Sequence, residues 1–104
     1  MADLSHYDLV PQFRRLREEV LYGDVWRQPE LSPRDRSLVT CAILAALGKS
    51  EELEHHMQKA VENGVTPDEL RGAVVQVALY AGWPNGVGMA KAGKAVFDGE
   101  ATRA

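Results

Sequence analysis

The chain has 104 residues, 45% hydrophobic and 26% charged, with a net charge of −3. That length suits one domain without a second, large enough to bury roughly two thirds of its unfolded surface. A single cysteine, Cys41, excludes an intrachain disulfide and a four-cysteine zinc site, and the absence of a basic face argues against nucleic acid as a partner.

The N-terminal sequence MADLSHYDLV lacks a basic stretch followed by an apolar one, so no signal peptide is read there. Leu9, Phe13, Leu16, Val20 and Leu21 lie at helical spacing and predict a first, amphipathic helix over residues 8–21. Its Arg14, Arg15 and Arg17 are followed by Glu18 and Glu19, which reads as a solvated face. Gly23 and Pro29 then bracket an irregular stretch containing Trp26.

Ser32, Pro33 and Asp35 form a helix start, with a cap, a proline at the first position and an acid in the first turn. The second helix is predicted from Pro33 to about Leu47, stopping at Gly48. Its residues 38–47 are apolar on every side but for Thr40, so it must be surrounded, and a subunit contact is expected. The run is far short of the about 20 residues that a membrane span needs. No membrane contact is expected, and the cytoplasm is the expected location.

Ser50 is read as the cap of a third helix that ends near Asn63 with Gly64 left-handed. Thr66-Pro67-Asp68-Glu69 is a capping box opening a fourth helix, which carries Leu70, Ala73, Val74, Val77, Ala78 and Ala81 on one stripe. Gly82 and Pro84 end it. A fifth helix is predicted over about Asn85–Phe97, and its glycines weaken the pattern. Nothing alternates with period two for long enough to make a strand. The fold class read from these signals is all-α, a compact bundle of about five short helices, and residues 1–7 and 99–104 receive no role.

Few side chains can do chemistry. On the third helix Glu51 and His55, and Glu52 and His56, are spaced four apart and can touch. With Leu53, Met57, Ala60 and Val61 defining the buried direction, His55 points about 175° away and His56 about 85° away. His56 therefore stands on the border between core and solvent, where an imidazole can move protons near neutral pH. Glu52 would orient the ring and favour its charged form. The alternative is a histidine that merely packs. A metal site is not expected, since Glu-x-x-x-His supplies two ligands where zinc sites of this helical kind use three. Cys41, amid apolar residues and without a second cysteine, reads as inert core. Tyr80 and Trp83 would line a pocket or simply fill core.

An ordered set of residues carries a resemblance: Leu21-Tyr22-Gly23-Asp24-Val25-Trp26, Pro29, Leu31, Arg36-Ser37-Leu38-Val39-Thr40, Ala45-Ala46-Leu47-Gly48, Glu51-Glu52-Leu53, His56, Asn63-Gly64, Tyr80-Ala81-Gly82 and Pro84. Across about residues 21–97 the chain resembles the carboxymuconolactone decarboxylase family, the cofactor-free branch of the alkylhydroperoxidase D-like superfamily. The resemblance implies an N-terminal helix and arm over 1–20, a core over 21–97 and a tail over 98–104. It implies a ring-like homo-oligomer, a hexamer or a trimer, with acid–base sites at subunit contacts and no cofactor. The thiol-dependent branch carries cysteines where this chain has Lys49 and Glu52, so that chemistry is not expected.

By the same resemblance His56 is the functional histidine and general acid/base, Glu52 its partner, and Arg36 the anchor for a substrate carboxylate. Gln76, Tyr80 and Trp83 would line the pocket. The implied reaction is decarboxylation of a small carboxylated lactone such as 4-carboxymuconolactone. Family decarboxylases carry a glutamate and a histidine on the fourth helix where this chain has Gly72 and Gln76, and glutamine cannot shuttle a proton. Isomerisation, cyclisation or lactone chemistry on another small molecule, or a non-catalytic binding role, are the alternative readings.

Overall fold

Proline, glycine and capping side chains mark the helix boundaries. A computed structural model describes residues 3–103, and among them there are helices and turns but no strand. None of these helices is long and apolar enough to cross a membrane. The chain divides into two compact units, Met1–Pro33 and Arg34–Ala104.

The first unit departs from the single amphipathic helix expected over 8–21. A 3₁₀ turn over Ser5–Leu9 is followed by α1 (Pro11–Arg15), a π-helical stretch over Leu16–Tyr22 and a second 3₁₀ turn over Val25–Arg27. Pro11 has no N–H to continue a helix through it, so the chain restarts there, with Phe13 N–H donating to the Val10 carbonyl at 2.9 Å. None of these elements contains a buried residue, and Leu9, Phe13, Leu16, Val20 and Leu21 are all exposed. Ring contacts, together with ion pairs such as Arg14–Asp8, join the unit's segments. The Arg17 guanidinium stacks 5.3 Å from the Tyr7 ring and 4.8 Å from the Tyr22 ring, and Tyr22 lies 5.8 Å from Trp26.

The second unit holds α2 (Pro33–Ala46) from Arg34 onward, α3 (Ser50–Glu62), α4 (Pro67–Ala81), α5 (Trp83–Ala92) and α6 (Lys94–Arg103). Gly48, at φ +71°, ends α2 in a Schellman turn: Lys49 N–H donates to the Leu44 carbonyl and Gly48 N–H to that of Ala45. Gly64, at φ +104°, repeats the device after α3. Ser50 is the first residue of α3 rather than its cap. Lys49 occupies the cap position and bonds no N–H with its side chain. The capping box of α4 forms as read, Thr66 Oγ1 accepting from Glu69 N–H at 3.1 Å and Glu69 Oε1 from Thr66 N–H at 2.9 Å. The expected fifth helix is two. Gly93 caps α5, and a Cβ there would lie 2.6 Å from the Phe97 ring and 2.7 Å from the tip of Met57, so a larger residue would require those side chains to shift.

The core is one cluster of Cys41, Ala45, Leu53, Met57, Ala60, Val65, Leu70, Val77 and Met89. Three pieces come from α3 at the spacing that defined its buried face. By contrast α2 is not surrounded. Only Ser37, Cys41 and Ala45 are buried on it, and Val39, Ile43 and Leu47 are 45%, 52% and 65% exposed. Two polar contacts hold the ends of the bundle. Asn63 Nδ2 donates to the buried Ser37 hydroxyl at 2.8 Å, joining the end of α3 to α2. Arg34 donates to Asp35 at 2.8 Å and to Glu69 Oε2, so one glutamate caps α4 and also ties it to α2.

Candidate active site

The amphipathic pattern of α3 places its titratable pairs. Leu53, Met57 and Ala60 face inward, His55 is exposed and His56 is half-buried at the border. The two imidazoles meet edge to face with centroids 5.4 Å apart. Glu52, one turn before His56, is exposed, and no hydrogen bond joins the two among the described residues. Their interaction is charge acting through space.

Burial is the larger influence on His56 and lowers its pKa below 6.5, with the neighbouring His55 acting in the same direction. Glu52 opposes this and Lys59 reinforces it. The expected effect of Glu52 is therefore present but outweighed, because half-burial penalises the imidazolium more than an exposed carboxylate supports it. The ring is neutral at rest near pH 7 and gives up a proton readily once it has one.

Arg36 is half-buried near the start of α2, its carbonyl accepting from Thr40 Oγ1 at 2.7 Å. It stands at the head of the stripe that continues through Val39, Ile43 and Leu47. On α4, Gln76 and Tyr80 share one face with Gly72, since they are spaced four apart. Both are exposed, Tyr80 at 84%, and Trp83 at the start of α5 is 68% exposed. Val75 and Leu79 beside them are exposed as well. No hydrogen bond or ion pair links Glu52, His56, Gln76, Tyr80 and Trp83 to one another among the described residues. Gln76, Tyr80 and Trp83 sit on exposed helix surface beside the exposed apolar residues Val75 and Leu79.

A separate cavity of about 200 Å³ lies between the α2–α3 turn and α5, with Lys49, Ser50, Asn85 and Gly88 on its walls and Leu53 at its floor. None of the six candidate residues lines it. Among the described residues no three His, Cys, Asp or Glu side chains converge as metal ligands. The Ser37–Asn63 and Arg34–Glu69 contacts were not foreseen. The available signal was the spacing of Ser37 with Cys41 and Ala45, a line of small residues along which α2 approaches its neighbours.

A family profile described as the Carboxymuconolactone decarboxylase family matches residues 11–95. The chain belongs to that family. It is 42% identical over 77 residues to the 4-carboxymuconolactone decarboxylase of Acinetobacter baylyi, covering 74% of this chain and 58% of that protein. It is 38% identical over 72 residues to the nitrosuccinic acid decarboxylase of Metarhizium robertsii, covering 69% of this chain and 50% of that protein. This family member thus spans between half and three fifths of the length of these relatives.

Proposed function

We propose that this protein is a cofactor-independent decarboxylase of a small carboxylated substrate, with His56 as proton donor and Arg36 as carboxylate anchor. The observation that carries this reading is the half-buried His56, one turn after Glu52, in a chain whose relatives are named decarboxylases. Both names denote acids with two carboxyl groups and an activating group, a lactone in one and a nitro group in the other. That activating group accepts the electron pair left when carbon dioxide departs, so the protein need not supply an electron sink.

Arg36 would hold the leaving carboxylate through its planar fork. Breaking the C–C bond moves its electrons onto the lactone or nitro group, and the anion formed takes a proton at carbon from the His56 imidazolium. Decarboxylation of a carboxylate to carbon dioxide and a C–H bond consumes one proton per turnover. A half-exposed imidazole can be recharged from solvent, and Glu52 favours that recharging.

The site would be completed by neighbouring subunits of a homo-oligomer, a trimer or hexamer. Support comes from the exposed apolar residues of α2, α4 and α5 that carry or flank Arg36, Gln76, Tyr80 and Trp83, since such faces mark interaction surfaces. A cytoplasmic location is part of the proposal. Light scattering on the purified chain reads the assembly. Turnover of 4-carboxymuconolactone, followed by its absorbance loss, and of nitrosuccinate should fall about 10²–10⁴-fold in His56→Ala. Equal rates would remove His56 from the mechanism, and a wild type inert toward both acids would remove the reaction.

Gln76 favours a second reading, the same scaffold acting on a different small molecule by isomerisation, cyclisation or lactone chemistry. A large gain in lactone decarboxylation by Gln76→His would support it.

A further inference from the structure

The proposed decarboxylation makes no use of the cavity between the α2–α3 turn and α5. Its volume of about 200 Å³ equals that of roughly six or seven waters in the liquid, so it suits a molecule of about that many non-hydrogen atoms. Ala45, Leu53 and Met89 are buried and give it an apolar floor. Lys49, Ser50 and Asn85 bring polar groups to its walls. None of the residues lining it is acidic, and Glu51 and Glu52, next along α3, are not among them.

Backbone geometry fixes these walls. Gly48, at φ +71°, turns the chain out of α2, and the Lys49 carbonyl accepts from Leu53 N–H at 2.9 Å, so Lys49 and Ser50 enter the wall from a closed turn. From α5, Asn85 Nδ2 donates to the Ala46 carbonyl at 3.1 Å and to the Ala81 carbonyl at 3.0 Å. Carbonyls can only accept, so the amide nitrogen must face them and Oδ1 must face away. Oδ1 lies towards Gly48, 3.8 Å from where a Cβ on that residue would stand, and Gly48 lines the cavity too. Among the described residues no donor reaches Oδ1, and the Lys49 ammonium and the Ser50 hydroxyl have neither hydrogen bond nor ion pair. The cavity thus offers a cation, a hydroxyl and one oriented acceptor.

We infer that this cavity binds a short hydroxycarboxylic acid of the size of lactate. The carboxylate meets Lys49 and Ser50, the hydroxyl donates to Asn85 Oδ1, and the carbon chain rests on Leu53 and Met89. Lys49 supplies the attraction and Asn85 the selectivity, because an acid without the hydroxyl leaves Oδ1 desolvated with no donor. A second carboxylate in its place would set one acceptor against another. None of the residues assigned to decarboxylation lines the cavity, so this site stands whether or not that reaction does.

The test is titration of the full chain with lactate, propionate and lactamide, followed on the ligand signals by NMR; the second lacks the hydroxyl and the third the charge. Wild type should bind lactate with a millimolar Kd, as expected for a ligand of about six non-hydrogen atoms. Propionate and lactamide should each bind about fivefold or more weakly. Lys49→Met, at an exposed position, should weaken lactate about tenfold, as losing one hydrogen bond to a charged group predicts. Gly88→Leu fills the cavity from a wall where an added Cβ meets nothing within 4 Å. It should abolish lactate binding with a melting temperature no lower than wild type, and Lys49→Met keeps the test decisive if it does not fold. His56→Ala should leave the lactate Kd within about twofold. Lactate binding no tighter than propionate, or unchanged in Lys49→Met, overturns the site. So does a loss in His56→Ala equal to that in Lys49→Met, which would put the acid at the decarboxylase residues instead.

Discussion

The same substitution at two glycines of α5 should change stability in opposite directions. At Gly86 an added Cβ would lie 2.4 Å from the Ala78 Cβ, 2.9 Å from its Cα and 3.2 Å from its N. Carbon atoms pack at about 3.5–4.0 Å, so the closest contact is short by more than 1 Å. Two of the three atoms are backbone, and alanine has no χ angle through which to escape. Gly86→Ala must push α5 away from α4 along their closest approach. Overpacking a tight core costs about 1–3 kcal/mol, and the upper half of that range applies when backbone must move. Replacing glycine by alanine in a helix returns about 1 kcal/mol. The net is a loss of about 1–2 kcal/mol, or a Tm drop of roughly 4–15 °C for a domain of this size. Gly88, two residues on, has nothing within 4 Å of its added Cβ. There only the propensity operates, and Gly88→Ala should gain up to about 1 kcal/mol. Thermal unfolding followed by circular dichroism at 222 nm, at one fixed protein concentration, compares the pair. Loss at both positions, or gain at both, would refute the close packing of α4 on α5.

Four further outcomes follow from individual side chains. His56 should titrate below 6.5 by NMR. Because the unfolded state then binds more protons between the lowered folded value and 6.5, stability should rise with pH through that window and level off above it. His56→Gln should flatten that slope, and an unchanged slope would assign it elsewhere. Cys41 is fully buried and its thiol is pushed up to about 11, so Ellman's reagent at pH 8 should label it only on unfolding; rapid labelling of the native protein contradicts that burial. Thr66→Ala removes an observed cap and should cost about 1 kcal/mol. Arg34→Met loses only partly exposed ion pairs and should cost no more than that in urea unfolding.

How much was legible in the sequence depended on the range of the interaction. Helix ends closed by Gly48, Gly64 and Gly82, and the Thr66–Glu69 box, were readable because each is decided within about six residues. The border position of His56 was readable too, since one strongly amphipathic helix orients its own side chains. Two things were not. The last helix is divided at Gly93, which lies against the tip of Met57, 36 positions earlier, and no local pattern records so distant a contact. The pattern also does not distinguish residues buried within the chain from apolar residues left exposed on it. Val39, Ile43 and Leu47 look as apolar as Cys41 and Ala45. Tyr80 and Trp83 could be assigned to pocket or core alike. The first helix shows the same ambiguity, its spacing of Leu9, Phe13 and Leu16 leading to no buried residue. Apolar spacing states that a face avoids water but not which molecule covers it. For this chain the unresolved faces are those carrying Arg36, Gln76 and Tyr80. The candidate residues that α3 presents are therefore readable from one chain, while those on α2 and α4 stand on apolar faces whose covering the spacing does not name.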